Sequence, residues 1–185
     1  MNRFLIIATA AFCITLLGAC ASGDDTGTST SALQHISIAR NGDVIAHAHD
    51  GSSARISATG DLEIRGRSVA VTSSQRDLLQ GYHAAALALR NDAIATGKAG
   101  VETGMHALDA VAKGLASGKP DSIDAEITPR ANKVDALAQT VCRDLEHLHA
   151  DQTAVAAALP AFAPYATIEQ REVSGCSATQ VVNRP

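Results

Sequence analysis

The sequence predicts an α+β fold, with an N-terminal antiparallel β-meander of about five short strands followed by a long antiparallel α-helical hairpin packed on it. Three observations lead there. Apolar residues alternate from Leu33 to Val71 between glycine-bearing turns, the alternation stops at Thr72-Ser73-Ser74-Gln75, and apolar residues then return at seven-residue spacing. The chain divides accordingly into a leader (1–19), a tether (20–32), one α+β domain (33–159, with the meander at 33–71 and the hairpin at 73–159) and an irregular tail (160–185).

In the leader, Arg3 is the only charge ahead of an apolar run from Phe4 to Leu17. That run falls short of the roughly 20 apolar residues a membrane-spanning helix needs. Leu17-Gly18-Ala19-Cys20 closes it with two small residues and a cysteine, and the four resemble the lipobox of bacterial lipoproteins. The resemblance implies that residues 1–19 are a signal peptide and that Cys20 carries a diacylglyceryl group. The membrane is then a partner through an N-terminal lipid anchor. Ala21 after the cysteine, in place of Asp, implies export to the outer membrane, with the body on its periplasmic face. An ordinary secretory signal cut near Ala21 is the alternative. Each buried acyl methylene contributes about 0.8 kcal/mol, so two or three chains hold permanently for practical purposes. Residues 21–32 are Ser, Thr, Gly, Asp and Ala with nothing to bury, which makes a flexible tether spanning about 20 Å.

The formal net charge is −4, falling to −5 once Arg3 is removed, and beyond the leader the only Phe, Tyr or Trp residues are Tyr82, Phe162 and Tyr165. Nucleic acid is not an expected partner, because binding it calls for a basic surface and stacking rings. The core has to come from Ala, Leu, Val and Ile.

Within the meander, Ile36 and Ile38, then Val44, Ala46 and Ala48, then Ala54, Ile56 and Ala58, then Leu62 and Ile64, then Val69 and Val71 alternate with polar residues. Asn41-Gly42, Asp50-Gly51, Gly60-Asp61 and Gly66 supply short turns, so neighbouring strands run antiparallel. One apolar face per strand needs a cover, which the second half of the chain provides.

Thr72 stands three residues before Gln75, the spacing of a reciprocal helix cap. Leu87, Ile94, Val101, Leu108 and Leu115 then recur by sevens with Met105 and Ala112 beside them, predicting a seam for a partner helix. Gly97, Gly100, Gly104 and Gly114 lie in the same stretch; either the helix breaks near Gly97 to Gly100, or these glycines let the second helix approach closely. Gly118 and Lys119-Pro120 end the helix. Asp121 opens a short turn carrying Ile123 and Ile127, and Thr128-Pro129 offers the start of the second helix. There Val134, Val141, Leu148 and Val155 repeat by sevens beside Ala138, Leu145 and Leu159, up to Pro160.

Gly60-Asp61-Leu62, Ile64, Gly66, Val69, Val71-Thr72 and Gln75-Arg76 resemble the strand-to-helix passage of the YggN-like periplasmic proteins of gammaproteobacteria. Val141-Cys142-Arg143, Leu145 and Leu148 are similar to the cysteine-bearing C-terminal helix of that group. The likeness covers about Ile36 to Arg90 and Val134 to Leu159. This chain is shorter in the helical middle and has no cysteine ahead of the strands to pair with Cys142. What the resemblance implies is a fold and a compartment; it carries no activity and no catalytic residues.

With Cys13 removed and Cys20 lipidated, Cys142 and Cys176 are the thiols left to an oxidising compartment, where a disulfide is the expected state. A redox-active pair or a bridge to another chain are the alternatives. His47-x-His49 on a strand puts two imidazoles on one face, a pair that could ligate a transition metal; the competing reading is a solvent face opposite Val44, Ala46 and Ala48. His147 and His149 on a helix diverge, whereas His147 and Asp151 share a face. His35, His83 and His106 show no spacing pattern. The chain lacks a Gly-x-Ser-x-Gly elbow, a phosphate-binding glycine loop and a His-Glu-x-x-His helix. The expectation is a non-catalytic envelope lipoprotein, without cofactor, acting as an interaction or structural module with an envelope protein partner. Its alternative is a weak metal binder built on His47 and His49.

Overall fold

A computed structural model describes residues 35–118 and 121–182. Leader, Cys20 and tether lie outside the described residues. Five short strands, β1 (Ile36–Ile38), β2 (Val44–His47), β3 (Ser53–Ile56), β4 (Leu62–Ile64) and β5 (Arg67–Val69), are followed by α1 (Ser73–Ser117) and α2 (Asp121–Ala158). The fold is α+β: an antiparallel sheet in chain order β1-β2-β3-β4-β5 with two long helices against it.

Period-two alternation becomes a one-sided sheet. Val44 pairs with Ile56, Ala46 with Ala54 and Ile56 with Leu62, and all five are buried. On the opposite face Arg55 pairs with Glu63 in register and reaches Asp43 at 3.4 Å. The β4–β5 loop is two residues long, with Arg65 at φ 52° and Gly66 at φ 72°. Positive angles at both positions make the hairpin turn whose twist matches that of the strands.

The β3–β4 turn is fastened to α1. Gly60 sits there at φ +74° with Arg76 against it: an added Cβ would lie 2.5 Å from the Arg76 carbonyl oxygen. Arg76 Nη1 and Gln80 Nε2 both donate to the Thr59 carbonyl at 3.1 Å, and Arg76 also pairs with Asp61. At the same end of the sheet, in the β1–β2 turn, the Gly42 carbonyl accepts at 2.9 Å from Nε2 of buried His83. Thr72 and Gln75 form the reciprocal cap, with Thr72 N–H to Gln75 Oε1 at 2.9 Å and Gln75 N–H to Thr72 Oγ1 at 3.3 Å.

Helix α1 is 45 residues long and unbroken across Gly97 to Gly100, about 67 Å at 1.5 Å per residue. Gly118, at φ 67°, ends it. Helix α2 starts at Asp121, earlier than Thr128-Pro129, and holds Pro129 inside it. Ile123 and Ile127 therefore belong to its first turns and not to a separate one. Its seam is the expected one: Leu145, Leu148, Val155 and Leu159 are buried, and Val141 packs against the core.

The α1 seam differs from expectation. Leu79, Tyr82, Ala86 and Leu89 are buried, and further along so are Ala110 and Gly114. Ile94, Val101, Leu108 and Leu115 are exposed at 41%, 70%, 73% and 73%. A helix turns as a rigid body, so once Leu79, Tyr82 and Ala86 meet the sheet, the phase carries through Ala93, Thr96, Thr103, Ala107, Ala110 and Gly114. The residues at 87, 94, 101, 108 and 115 fall one position, about 100°, away. Thr96 and Thr103 satisfy their hydroxyls on the carbonyls of Asp92 and Ala99 at 2.7 Å. The glycine-packing expectation fails at Gly97, Gly100 and Gly104, where a Cβ would meet nothing within 4 Å, while Gly114 is buried.

The C-terminal segment is not irregular. A 3-10 helix (Pro160–Tyr165) and helix α3 (Gln170–Val182) fold back on the body and bury Phe162, Tyr165, Ile168 and Val173. Tyr82 and Phe162 meet edge-to-face at 5.5 Å, and Phe162 and Tyr165 lie 6.0 Å apart, so the three six-membered rings beyond the leader form one cluster. Tyr165 Oη shares a 3.1 Å hydrogen bond with Ser52 Oγ. Gln152, itself buried, donates to the Ile168 carbonyl at 2.9 Å and accepts from the Ile168 N–H at 3.1 Å, holding the return of the chain from both sides.

Candidate functional site

The body and the far end of the hairpin are two environments. The hydrophobic core draws on α1 only up to Leu89 and on α2 only from Val141 onward. Beyond those points the two helices continue as an arm, held together by small residues such as Ala110 and Gly114. On the outer side of that arm Ile94, Val101, Met105, Leu108, Val111 and Leu115 form an apolar stripe, every member at least 41% exposed. Soluble chains rarely leave a contiguous apolar patch of more than a few hundred Å² uncovered unless it binds something.

A groove of about 470 Å³ runs along the root of the stripe, between β1 (Ile36, Ser37, Ile38) and α1 (Ala86, Leu89, Arg90, Ala93, Ile94), with Leu148 at its floor. Ile94 belongs to both groove and stripe. β1 is the edge strand of the sheet, and its outer side pairs with no strand among the described residues.

At the shoulder between body and arm, Asp144 on α2 faces Asp92 on α1. Loss of water and then the neighbouring carboxylate hold Asp144 above the usual carboxyl range, against the pull of His147 and Arg143. Its Oδ2 is buried without a hydrogen-bond partner among the described residues. His147 and Asp151 do lie along one cleft, with Asp144, against Gly81, Ala84, Ala85 and Ala88 of α1. Burial alone pushes the Tyr82 phenol far up, and its hydroxyl too has no partner among the described residues.

Of the residues singled out in the sequence, Cys142 and Cys176 are joined in a disulfide with Cα atoms 5.6 Å apart, tying α3 to the shoulder of α2. Cys20 lies outside the described residues. His47 and His49 do not share a strand face: β2 ends at His47, and His49 sits exposed in the following turn. His47 Nε2 is 3.0 Å from Ser37 Oγ, while the His49 ring meets His35 edge-on at 5.2 Å. No cluster of three or more His, Cys, Asp or Glu suited to a metal ion occurs among the described residues. No described helix is long and apolar enough to cross a membrane.

Sequence reasoning missed the solvent-facing stripe, the Asp92–Asp144 pair and the His35–His49 contact. The stripe was visible as a periodicity, though its phase was not. No family model matches the chain, and neither does a curated protein or a solved structure.

Proposed function

We propose that this chain is a non-catalytic envelope lipoprotein, acylated at Cys20 and facing the periplasm from the outer membrane, whose helical arm is an interaction element. The observation that carries the reading is the exposed apolar stripe on a projecting arm that packs on itself through small residues. The disulfide suits an oxidising compartment, and the likeness to YggN-like proteins points to the same one. The metal-binding alternative at His47 and His49 draws no support from the way the turn separates them.

Two measurements test this. Intact mass of the chain purified from membranes should show a diacylglyceryl-modified Cys20 and no residues before it, and Cys20→Ala should move the protein from the membrane to the soluble periplasmic fraction. Crosslinking in intact cells from a photoreactive group at Leu108 should capture a defined protein species, whereas the same group at exposed Asp77 in the body should not. An unmodified Cys20, or equal capture from both positions, overturns the corresponding half of the reading.

A further inference from the structure

We infer that the partner of the stripe is a second copy of the same chain, the two arms packing antiparallel about a two-fold axis close to Met105. This rests on the reading of the arm as an interaction element and names its occupant.

The pattern asks for a helix. Val101, Met105, Leu108, Ala112 and Leu115 follow one another at intervals of four and three, the repeat by which one helix seats its side chains into another. A flat or irregular surface would not require it. Gly97, Gly100 and Gly104 stand beside these residues with open space where a Cβ would be, so the walls flanking the stripe are low and a second backbone can come near. The arm also lacks a layer. Two helices meeting through Ala110 and Gly114 leave almost no large side chain fully buried in the arm, and the large ones of α1 point outward. Two such arms face to face bury those side chains between the two α1 helices, which become the missing layer.

Area and charge agree. At exposures of 41% to 73%, the six stripe residues present about 600 Å² per copy, so pairing two copies removes about 1,200 Å², the lower bound of a standard stable interface, from these residues alone. The charges between Ile94 and Leu115 are Lys98, Glu102, Asp109 and Lys113, two of each sign, and Lys113 is paired with Asp109 within the helix. No net charge opposes self-association. A lipid surface as occupant would call for a cationic flank, which the arm does not have. An isologous contact puts the midpoint of the stripe on the axis, and the midpoint of Ile94 to Leu115 falls beside Met105.

The test uses the full chain in mild detergent, with one cysteine introduced at a time and the unsubstituted chain as control. Met105→Cys should form a disulfide-linked dimer on mild oxidation in high yield. Ile94→Cys and Leu115→Cys should not self-link, but a mixture of the two proteins should link to each other. Sedimentation equilibrium should give twice the chain mass. Leu108→Glu, at a position exposed in the single chain, should leave the thermal melt of the dilute protein unchanged and weaken the dimer at least tenfold. Equal self-linking at all three positions overturns the antiparallel arrangement. A monomer whose Met105→Cys variant links in cells to a different protein overturns the second copy and leaves the interaction element standing. A monomer that links to nothing removes both.

Discussion

Replacing Gly60 by alanine tests how the sheet is fastened to the helices, and the structure separates the cost into two parts. Gly60 holds φ +74°, where an L-residue loses roughly 1–2 kcal/mol. The added methyl would also lie 2.5 Å from the Arg76 carbonyl oxygen and 2.8 Å from Arg76 Cγ. The side chain can swing away, but the carbonyl belongs to the first turns of α1 and cannot, so the turn has to lift off the helix. Overpacking of that kind costs about 1–3 kcal/mol. The hydrogen bonds from Arg76 and Gln80 to Thr59 are strained with it. The expected total is about 2–5 kcal/mol, or a melting temperature lower by roughly 5–15 °C for a domain of this size. Gly66→Ala is the matched control: φ is +72° but nothing lies within 4 Å of the new methyl, so only the backbone part remains. Gly97→Ala is the opposite control, an exposed position in mid-helix with open space, expected to stabilise by up to about 1 kcal/mol. The chain has no tryptophan, so urea unfolding is best followed by far-ultraviolet circular dichroism. If Gly60→Ala loses no more than Gly66→Ala, the turn does not dock on α1 as described.

Opening the Cys142–Cys176 bridge by paired serine substitution should cost about 3–4 kcal/mol for a sequence separation of 34, read as the drop in urea midpoint against the oxidised chain. Tyr82→Phe removes a buried hydroxyl with no partner among the described residues and should raise the melting temperature by a few degrees, a gain of about 1 kcal/mol; a loss would mean that the hydroxyl is satisfied. Asp144 has its folded pKa raised, so its contribution to stability is fully present below the unfolded value and is lost as pH rises through the folded one. Asp144→Asn should therefore melt higher than the parent at neutral pH, with the advantage shrinking on acidification; a difference that grows toward acid refutes the assignment. Gln152→Leu strands the Ile168 N–H and carbonyl in a buried site and should cost about 2–4 kcal/mol, against almost nothing for exposed Gln170→Leu.

The meander was legible because alternation is a local property: Val44, Ala46, Ala54, Ile56 and Leu62 announce their face two residues at a time. The Thr72–Gln75 cap and the Gly118 stop are local in the same way. The phase of α1 was not. A large apolar side chain in place of Ala86 would have betrayed it, but that position holds only a methyl, and the small residues that face α2 at Ala107, Ala110 and Gly114 carry little hydrophobic signal. The larger Ile94, Val101 and Leu108 dominate any periodicity while facing outward. What decides the phase is a contact between Tyr82 and a tail about 80 residues away in the chain, and no window on the sequence contains both. The tail itself was obscured by Pro160 and Pro164, which end α2 and shape a 3-10 helix; the clue was that Phe162 and Tyr165 had nowhere else to be. Thr128-Pro129 misled for the opposite reason, a strong local signal overridden by packing along α1. His47 and His49 were separated by the end of β2, a boundary that an unbroken alternation through Ala48 concealed.

The bridge between Cys142 and Cys176 has a position as well as a strength. Cys142 stands at the edge of the core, one residue beyond Val141, where α2 passes from body to arm. Asp144 faces Asp92 two residues further into the body, and at this same shoulder a covalent link and α3 hold α2. Amide exchange should therefore divide at this shoulder, with arm protons released at low free energy and body protons only on global unfolding. The chain is then two cooperative units with a chemical boundary between them. The arm can part from one neighbour and take another while the sheet, the ring cluster and the tail stay folded, which lets a small alanine-rich domain carry a labile surface without sharing its lability.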